Sequence, residues 1–389
     1  MKGLIMKNVL MSELIKRIES YMPEFLKLLE ESVNMDSPSA SKAHTDRMAD
    51  WYAFQFRRIV GGRVIRQENP VYGDRLLCEE GSGPRRVLLL GHFDTVWPAG
   101  EAARRPFRIL DGKAFGPGVY DMKASLLQAM FAIRALRDCG RFPAEKTVAL
   151  FLNSDEEISS PTSRAAIEAE AARAGAVLVL EPPLEPEGAL KTARKGSGRY
   201  KLVVEGVSAH AGVDPFKGVS AIHELSLLIQ ELHALSDAAT GTSVNVGIVH
   251  GGIASNVVAD RAEAEIDVRV ATQEEAARVH AAIMGLVPRH PQAKVTVTGG
   301  MMRPPMERTE QSGRLYELAR DIAREELGWD LPEASTGGVS DGNFAAALGV
   351  PTLDGLGVRG DFAHTPNEYV RLEDIPLRTA FLARLIERC

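Results

Sequence analysis

Apolar residues recur at helical spacing along residues 10–34, where Leu10, Leu14, Ile15, Ile18, Met22, Phe25, Leu28 and Leu29 share one face. A second amphipathic helix is predicted over 41–60. Short apolar runs then alternate with helical stretches to about residue 195. That alternation is the pattern of an α/β domain, a mostly parallel sheet flanked by helices. Three of the apolar runs end in metal-capable side chains. Residues 87–90 lead into Gly91-His92-Phe93-Asp94-Thr95, 147–152 into Asn153-Ser154-Asp155-Glu156-Glu157, and 176–180 into Glu181. Ligands of open α/β sheets bind beyond the carboxyl ends of the strands, so these side chains are candidates for a single site.

The pattern changes after Lys195-Gly196-Ser197-Gly198, which reads as a hinge. A strand over 200–207, a helix over 218–235, strands over 243–250 and 262–270, a helix over 272–287 and a strand over 294–298 give the order βαββαβ. That order is a ferredoxin-like α+β unit. Residues 299–305 return the chain to the first domain, where helices over 313–328 and 373–387 and a strand over 350–356 are expected. The expected organisation is a catalytic domain over 1–195 and 303–389, with an insertion over 196–302.

A chain of 389 residues has room for two cores. A net charge of -6 without a dense basic stripe argues against nucleic acid. No segment approaches the ~20 apolar residues of a membrane span. Residues 1–7 do not read as a signal peptide. Three scattered cysteines without CxxC spacing suit a reducing compartment, and a cytoplasmic protein is expected.

His92, Asp121, Glu157, Glu181 and His364 supply two imidazoles and three carboxylates. Their charge of about -3 against about +4 for two divalent ions leaves room for one bridging hydroxide in a near-neutral cluster. The mixture of His and carboxylate suits zinc better than calcium or magnesium, with cobalt and manganese still open.

In the order Gly91-His92-Phe93-Asp94-Thr95, Gly116-Pro117-Gly118-Val119-Tyr120-Asp121-Met122-Lys123, Asp155-Glu156-Glu157, Glu181-Pro182, Gly206-Val207-Ser208-Ala209-His210-Ala211-Gly212, Gly337-Gly338-Val339-Ser340-Asp341-Gly342-Asn343 and Ala363-His364-Thr365, the chain resembles the M20 metallopeptidases, nearest to their glutamate carboxypeptidases. The resemblance implies a zinc-exopeptidase fold whose inserted unit serves as lid and dimerisation domain. It implies two zinc ions per subunit, one held by His92 and Glu181, the other by Glu157 and His364, with Asp121 between them. Asp94 would fix the tautomer of His92, and Glu156 would be the general base beside the hydroxide. The peptide after Asp121 would be cis. Arg303 and Arg269 would receive the substrate carboxylate and Asn256 would assist. In the homodimer His210 would stabilise an oxyanion in the partner's site.

Plainer roles stand beside these. Asp121 precedes a helical run and suits an N-cap. Ser208 to Gly212 suits a structural turn, Arg269 a surface ion pair, Arg303 a brace at the domain junction, and Ser340-Asp341 a loop-shaping pair. Tyr120 and Ile158 depart from the small residues common in the family, which bears on substrate more than on reaction. The expected activity is hydrolysis of an amide next to a free amino-acid carboxylate, on a small molecule or short peptide. An N-acyl-amino-acid deacylase of the acetylornithine deacetylase or desuccinylase type is the near alternative. A non-catalytic binding protein on the same scaffold is the distant one.

Overall fold

The computed structural model describes residues 2–389, with side chains described from Met11 onward, so Leu10 of the first stripe lies outside the described side chains. The chain divides into two compact units. The first runs to Thr192 and resumes over Arg308–Ser335 and Ser340–Cys389; the second comprises Ala193–Glu307 and Thr336–Val339.

In chain order the first unit contributes α1 (Lys2–Val33), α2 (Lys42–Ile59), β1 (Arg63–Gln67), β2 (Arg75–Gly81), β3 (Arg85–His92), α3 (Ala124–Asp138), β4 (Lys146–Asn153) and β5 (Ala176–Val179). The second unit holds β6 (Gly196–Glu205), α4 (Ala221–His233), β7 (Ser243–Gly251), β8 (Arg261–Val270), α5 (Gln273–Met284) and β9 (Lys294–Arg303). The chain then supplies β10 (Thr352–Leu353) and α6 (Ile375–Arg388) to the first.

The main sheet has the order β1-β2-β4-β3-β5-β10. Its β4, β3, β5 and β10 run parallel, while β2 is antiparallel to both β4 and β1, which makes the sheet mixed. The period-two alternation of the central strands divides their side chains between two cores. Val87, Leu89, Val148, Leu150 and Leu152 join the cluster that includes α1, α3 and α6. Leu88, Leu90, Ala149 and Phe151 face the other side, against Ile167 and Phe344. Burying each such side chain contributes roughly 1.5–3 kcal/mol. With both faces covered, the strands read as unbroken apolar runs, and their polar residues collect where the strands end.

The second unit is an antiparallel sheet in the order β7-β8-β6-β9, the ferredoxin-like arrangement. Ser220 and Thr272 cap α4 and α5, each accepting from the amide three residues on. The segment read as a hinge differs here. Gly196 to Gly198 open β6 and pair with β8 on one side and β9 on the other. A Cβ at Gly198 would stand 2.9 Å from Met301 Sδ and 3.1 Å from Tyr200 Cε2. This glycine serves close packing inside a sheet, not bending. The strand β9 likewise continues past Gly299 and Gly300 to Arg303, into the segment expected to return the chain to the first domain.

Candidate metal centre

Five segments of the first unit converge. His92 closes β3, and Phe93 N donates to Asn153 O at 3.0 Å, holding this loop to the one after β4. Leu180 N donates to Leu90 O at 2.9 Å, which brings Glu181 alongside. Asp121 sits in a non-helical turn (φ -114°, ψ 91°) before α3, and its peptide bond to Met122 is cis. His364 adopts φ 60°. For a residue other than glycine that left-handed conformation costs about 1–2 kcal/mol.

His92 Nε2 lies 3.2 Å from Asp121 Oδ1 and 3.7 Å from Glu181 Oε1. His364 Nε2 lies 3.2 Å from Asp121 Oδ2 and 3.2 Å from Glu157 Oε2. The two Asp121 oxygens therefore face different histidines. Ligand atoms of His92, Asp121 and Glu157 lie within 4.8 Å of one another, and so do those of His92, Glu156 and Glu181.

These residues fit a pair of divalent cations. Among the described residues no hydrogen-bond donor reaches the buried Asp121 Oδ1 or Glu157 Oε1, a deficit that a cation would relieve. His92 Nδ1 faces the Asp94 carbonyl at 3.0 Å. Donation there leaves the Nε2 lone pair turned toward the carboxylates, the usual disposition of a metal-binding imidazole.

Without metal, the electrostatics are those of a crowded acid cluster. Burial pushes Asp121 up, but the adjacent His364 and His92 imidazoles outweigh it and hold the carboxyl well below its ordinary range. Burial lifts Glu157 to about 7. Hydrogen bonds to Asp121 and Glu157 lift His364 to about 11, against the burial that would lower it. Burial also opposes protonation of His92, yet Asp121, Asp94 and Glu181 raise it well above its ordinary value.

Asp94 does more than the sequence suggested. Its carboxylate stands 3.4 Å from His92 Nδ1 and accepts from Glu156 N and Glu157 N, both at 3.2 Å, and from Ser39 Oγ at 2.7 Å. It thus aligns the backbone of both glutamates. Asp341 forms a buried pair with Asn153 and accepts from Ser160 Oγ at 2.5 Å, bracing the loop that carries Glu156 from the other side.

Sequence reasoning missed Ser39 and Glu368. Glu368 is buried, and its carboxylate accepts from Gly118 N, Tyr120 N and Asp121 N at 3.0, 2.9 and 3.1 Å. Burial pushes its carboxyl up while these amides hold it down. The available signal was faint: an acid four residues past His364 in Ala363-His364-Thr365-Pro366-Asn367-Glu368.

The other four candidates belong to the second unit. His210 is exposed, and its Nδ1 accepts from Gly212 N and Val213 N at 3.1 and 3.2 Å. With Nδ1 accepting, Nε2 is the ring nitrogen left to donate. Ala211 N donates to Asn256 O at 3.0 Å, so the His210 and Asn256 loops are joined. Arg269 and Arg303 flank Ser197 in register, one on each neighbouring strand. Arg269 is half-buried and paired with Asp267 at 2.9 Å, while Arg303 is fully buried.

Residues 88–388 match the model of peptidase family M20/M25/M40. The chain is 31% identical over 375 residues to carboxypeptidase G2 of Pseudomonas sp. (strain RS-16), covering 94% of this chain and 89% of that protein. It is 29% identical over 332 residues to a succinyl-diaminopimelate desuccinylase of Xanthomonas campestris pv. campestris (strain 8004), covering 81% and 86% respectively. Its fold is similar, with a TM-score of 0.67 at 14% identity over 95% of this chain and 98% of the other, to the YXEP protein of Bacillus subtilis, a dinuclear metal-binding peptidase from the M20 family.

Proposed function

Because the chain belongs to peptidase family M20/M25/M40, and is therefore a hydrolase of amide bonds, we propose that it is a zinc carboxypeptidase releasing glutamate from short peptidyl or acyl substrates. The observation that carries this reading is the pairing of Asp121 with two histidines, one on each carboxylate oxygen. His92 and Glu181 would hold one ion and His364 and Glu157 the other, with Asp121 shared. The ions would polarise the amide carbonyl and acidify bound water.

The chain's own residues supply the rest. Glu156, amide-anchored on Asp94, takes a proton from the attacking water and returns it to the leaving amine. In the homodimer the Nε2–H of His210 donates to the oxyanion developing in the partner's site. Arg269 and Arg303, set at one level of the sheet, bind the terminal carboxylate together with Asn256.

Residues 196–302 would act as lid and dimerisation domain. The edge strand β7 exposes Ile248 and Val249, and Ile253 is 85% exposed nearby. Ile222 lies against Gly252 beside this edge. An apolar sheet edge of this kind favours pairing with a second copy. Among the described residues no helix is long and apolar enough to cross a membrane. The three free thiols support a cytoplasmic site.

The likeness to a desuccinylase favours a second reading, an N-acyl-amino-acid deacylase. A panel of folate-like and peptidyl glutamates against N-succinyl and N-acetyl amino acids separates the two. We expect the glutamates to show kcat/KM at least about tenfold higher. A preference for N-succinyl diamino acids would replace the first reading by the second.

A further inference from the structure

Among the described residues the Glu368 carboxylate has no hydrogen bond with a candidate ligand side chain, yet three of its four hydrogen bonds come from the loop that presents one. The residue is 1% exposed. Oε1 accepts from Tyr120 N and Asp121 N, and Oε2 accepts from Gly118 N and from Trp97 Nε1, the last at 3.2 Å. All four partners are N–H groups rather than cations. Burying a carboxylate costs several kcal/mol, which these charge-assisted bonds offset. An apolar side chain would fill the space without that cost, so the charge itself has a use.

That use lies in the turn. Gly118 stands at φ 71° and Asp121 departs from helical geometry, so the amides of residues 118, 120 and 121 have no helical acceptors of their own. Only a group with several lone pairs in one place satisfies all three. Glu368 is also chained to His364 by a short turn, in which Thr365 N donates to Phe362 O and Glu368 N to Thr365 O, at 3.0 and 3.1 Å. Arg105 stiffens the far side: it lies 4.1 Å over the Trp97 ring and donates to Pro366 O at 3.0 Å.

We infer that Glu368 is a positioning residue that locks the Asp121 turn to the His364 loop, setting the gap in which the shared carboxylate and that histidine hold a cation. The inference rests on the dinuclear reading of the site. Glutamine in its place would keep the shape but aim an NH2 group at two N–H donors, those of Tyr120 and Asp121 in one orientation of the amide and those of Gly118 and the Trp97 indole in the other.

Glu368→Gln and the unaltered protein are compared by zinc stoichiometry and by competitive chelator titration, at a temperature where circular dichroism shows both folded. The expected result is zinc affinity at one site lowered about 10–100-fold, as for other partners of ligand-bearing groups. A folded variant that binds both ions with unaltered affinity overturns the inference and leaves the dinuclear reading standing. An unaltered protein that holds no pair of ions removes both. Should Glu368→Gln not fold, Trp97→Phe removes the indole donor alone: affinity lowered several-fold supports the inference, and unchanged affinity overturns it.

Discussion

His364 Nε2 lies 3.2 Å from Asp121 Oδ2, although Asp121 precedes the second unit in the chain and His364 follows it. The opposite oxygen of the same carboxylate faces His92. A single aspartate thus presents one oxygen to each of two imidazoles, an arrangement that hydrogen bonding alone satisfies only if each ring carries a proton on Nε2, which for His92, whose Nδ1 faces the Asp94 carbonyl, would be a second one.

That protonation has a measurable consequence. In the metal-free protein His364 is raised to about 11 and His92 well above its ordinary value, so both are protonated at pH 7. A metal takes only the neutral imidazole, so loading must expel these protons. Calorimetric titration of zinc in buffers of different ionisation enthalpy should show release of about two protons, and zinc affinity should fall as the pH is lowered. Heats independent of the buffer would contradict the cluster's electrostatics.

Glu156 reaches the site without belonging to the Asp121 group. Glu156→Gln should lower kcat by about 10²–10⁴-fold with zinc content unchanged. A rate within a few-fold of the unaltered enzyme would remove the general-base assignment.

Asp94 gathers Ser39, Glu156 N and Glu157 N on one carboxylate. Replacing it by Ala should weaken zinc binding about 10–100-fold and also lower kcat, because both glutamates lose their anchor. Ser39→Ala, which removes one of the three donors, should do the same more mildly. Equal loss from the two variants, in chelator titration and steady-state kinetics, would mean that the amide contacts contribute nothing.

Arg303 is buried and Arg269 is half-buried beside Asp267. If both receive the substrate carboxylate, Arg303→Ala should raise KM at least about tenfold, with a smaller change in zinc affinity. The same variant should act on an amidated substrate much as the unaltered enzyme does. An equal loss on both substrates would assign Arg303 to bracing the sheet.

His92, the Glu156-Glu157 pair and Glu181 stood out because buried parallel strands are written as unbroken apolar runs, so an acid or His at the end of such a run is conspicuous; Asp121 and His364 end no such run and were picked out by the family motifs alone. Val87 to Leu90 before His92, and Val148 to Leu152 before Glu156, are of this kind. Glu368 was not legible, since its partners are backbone amides, which leave no trace in residue identity. The Lys195 to Gly198 segment misled for a related reason. Glycine marks both flexible joints and tight packing, and only Tyr200 and Met301 pressing on Gly198 tell the two apart. The sense of β2 was likewise hidden, because an antiparallel strand covered on one face by α2 has the same short apolar core as a parallel one.

The central claim is that Asp121 is shared by two cations. Anomalous scattering at the zinc edge from crystals grown with excess zinc tests it most directly. The expected map has two peaks, one between His92, Asp121 and Glu181 and the other between His364, Asp121 and Glu157. One peak, or none against Asp121, would contradict it.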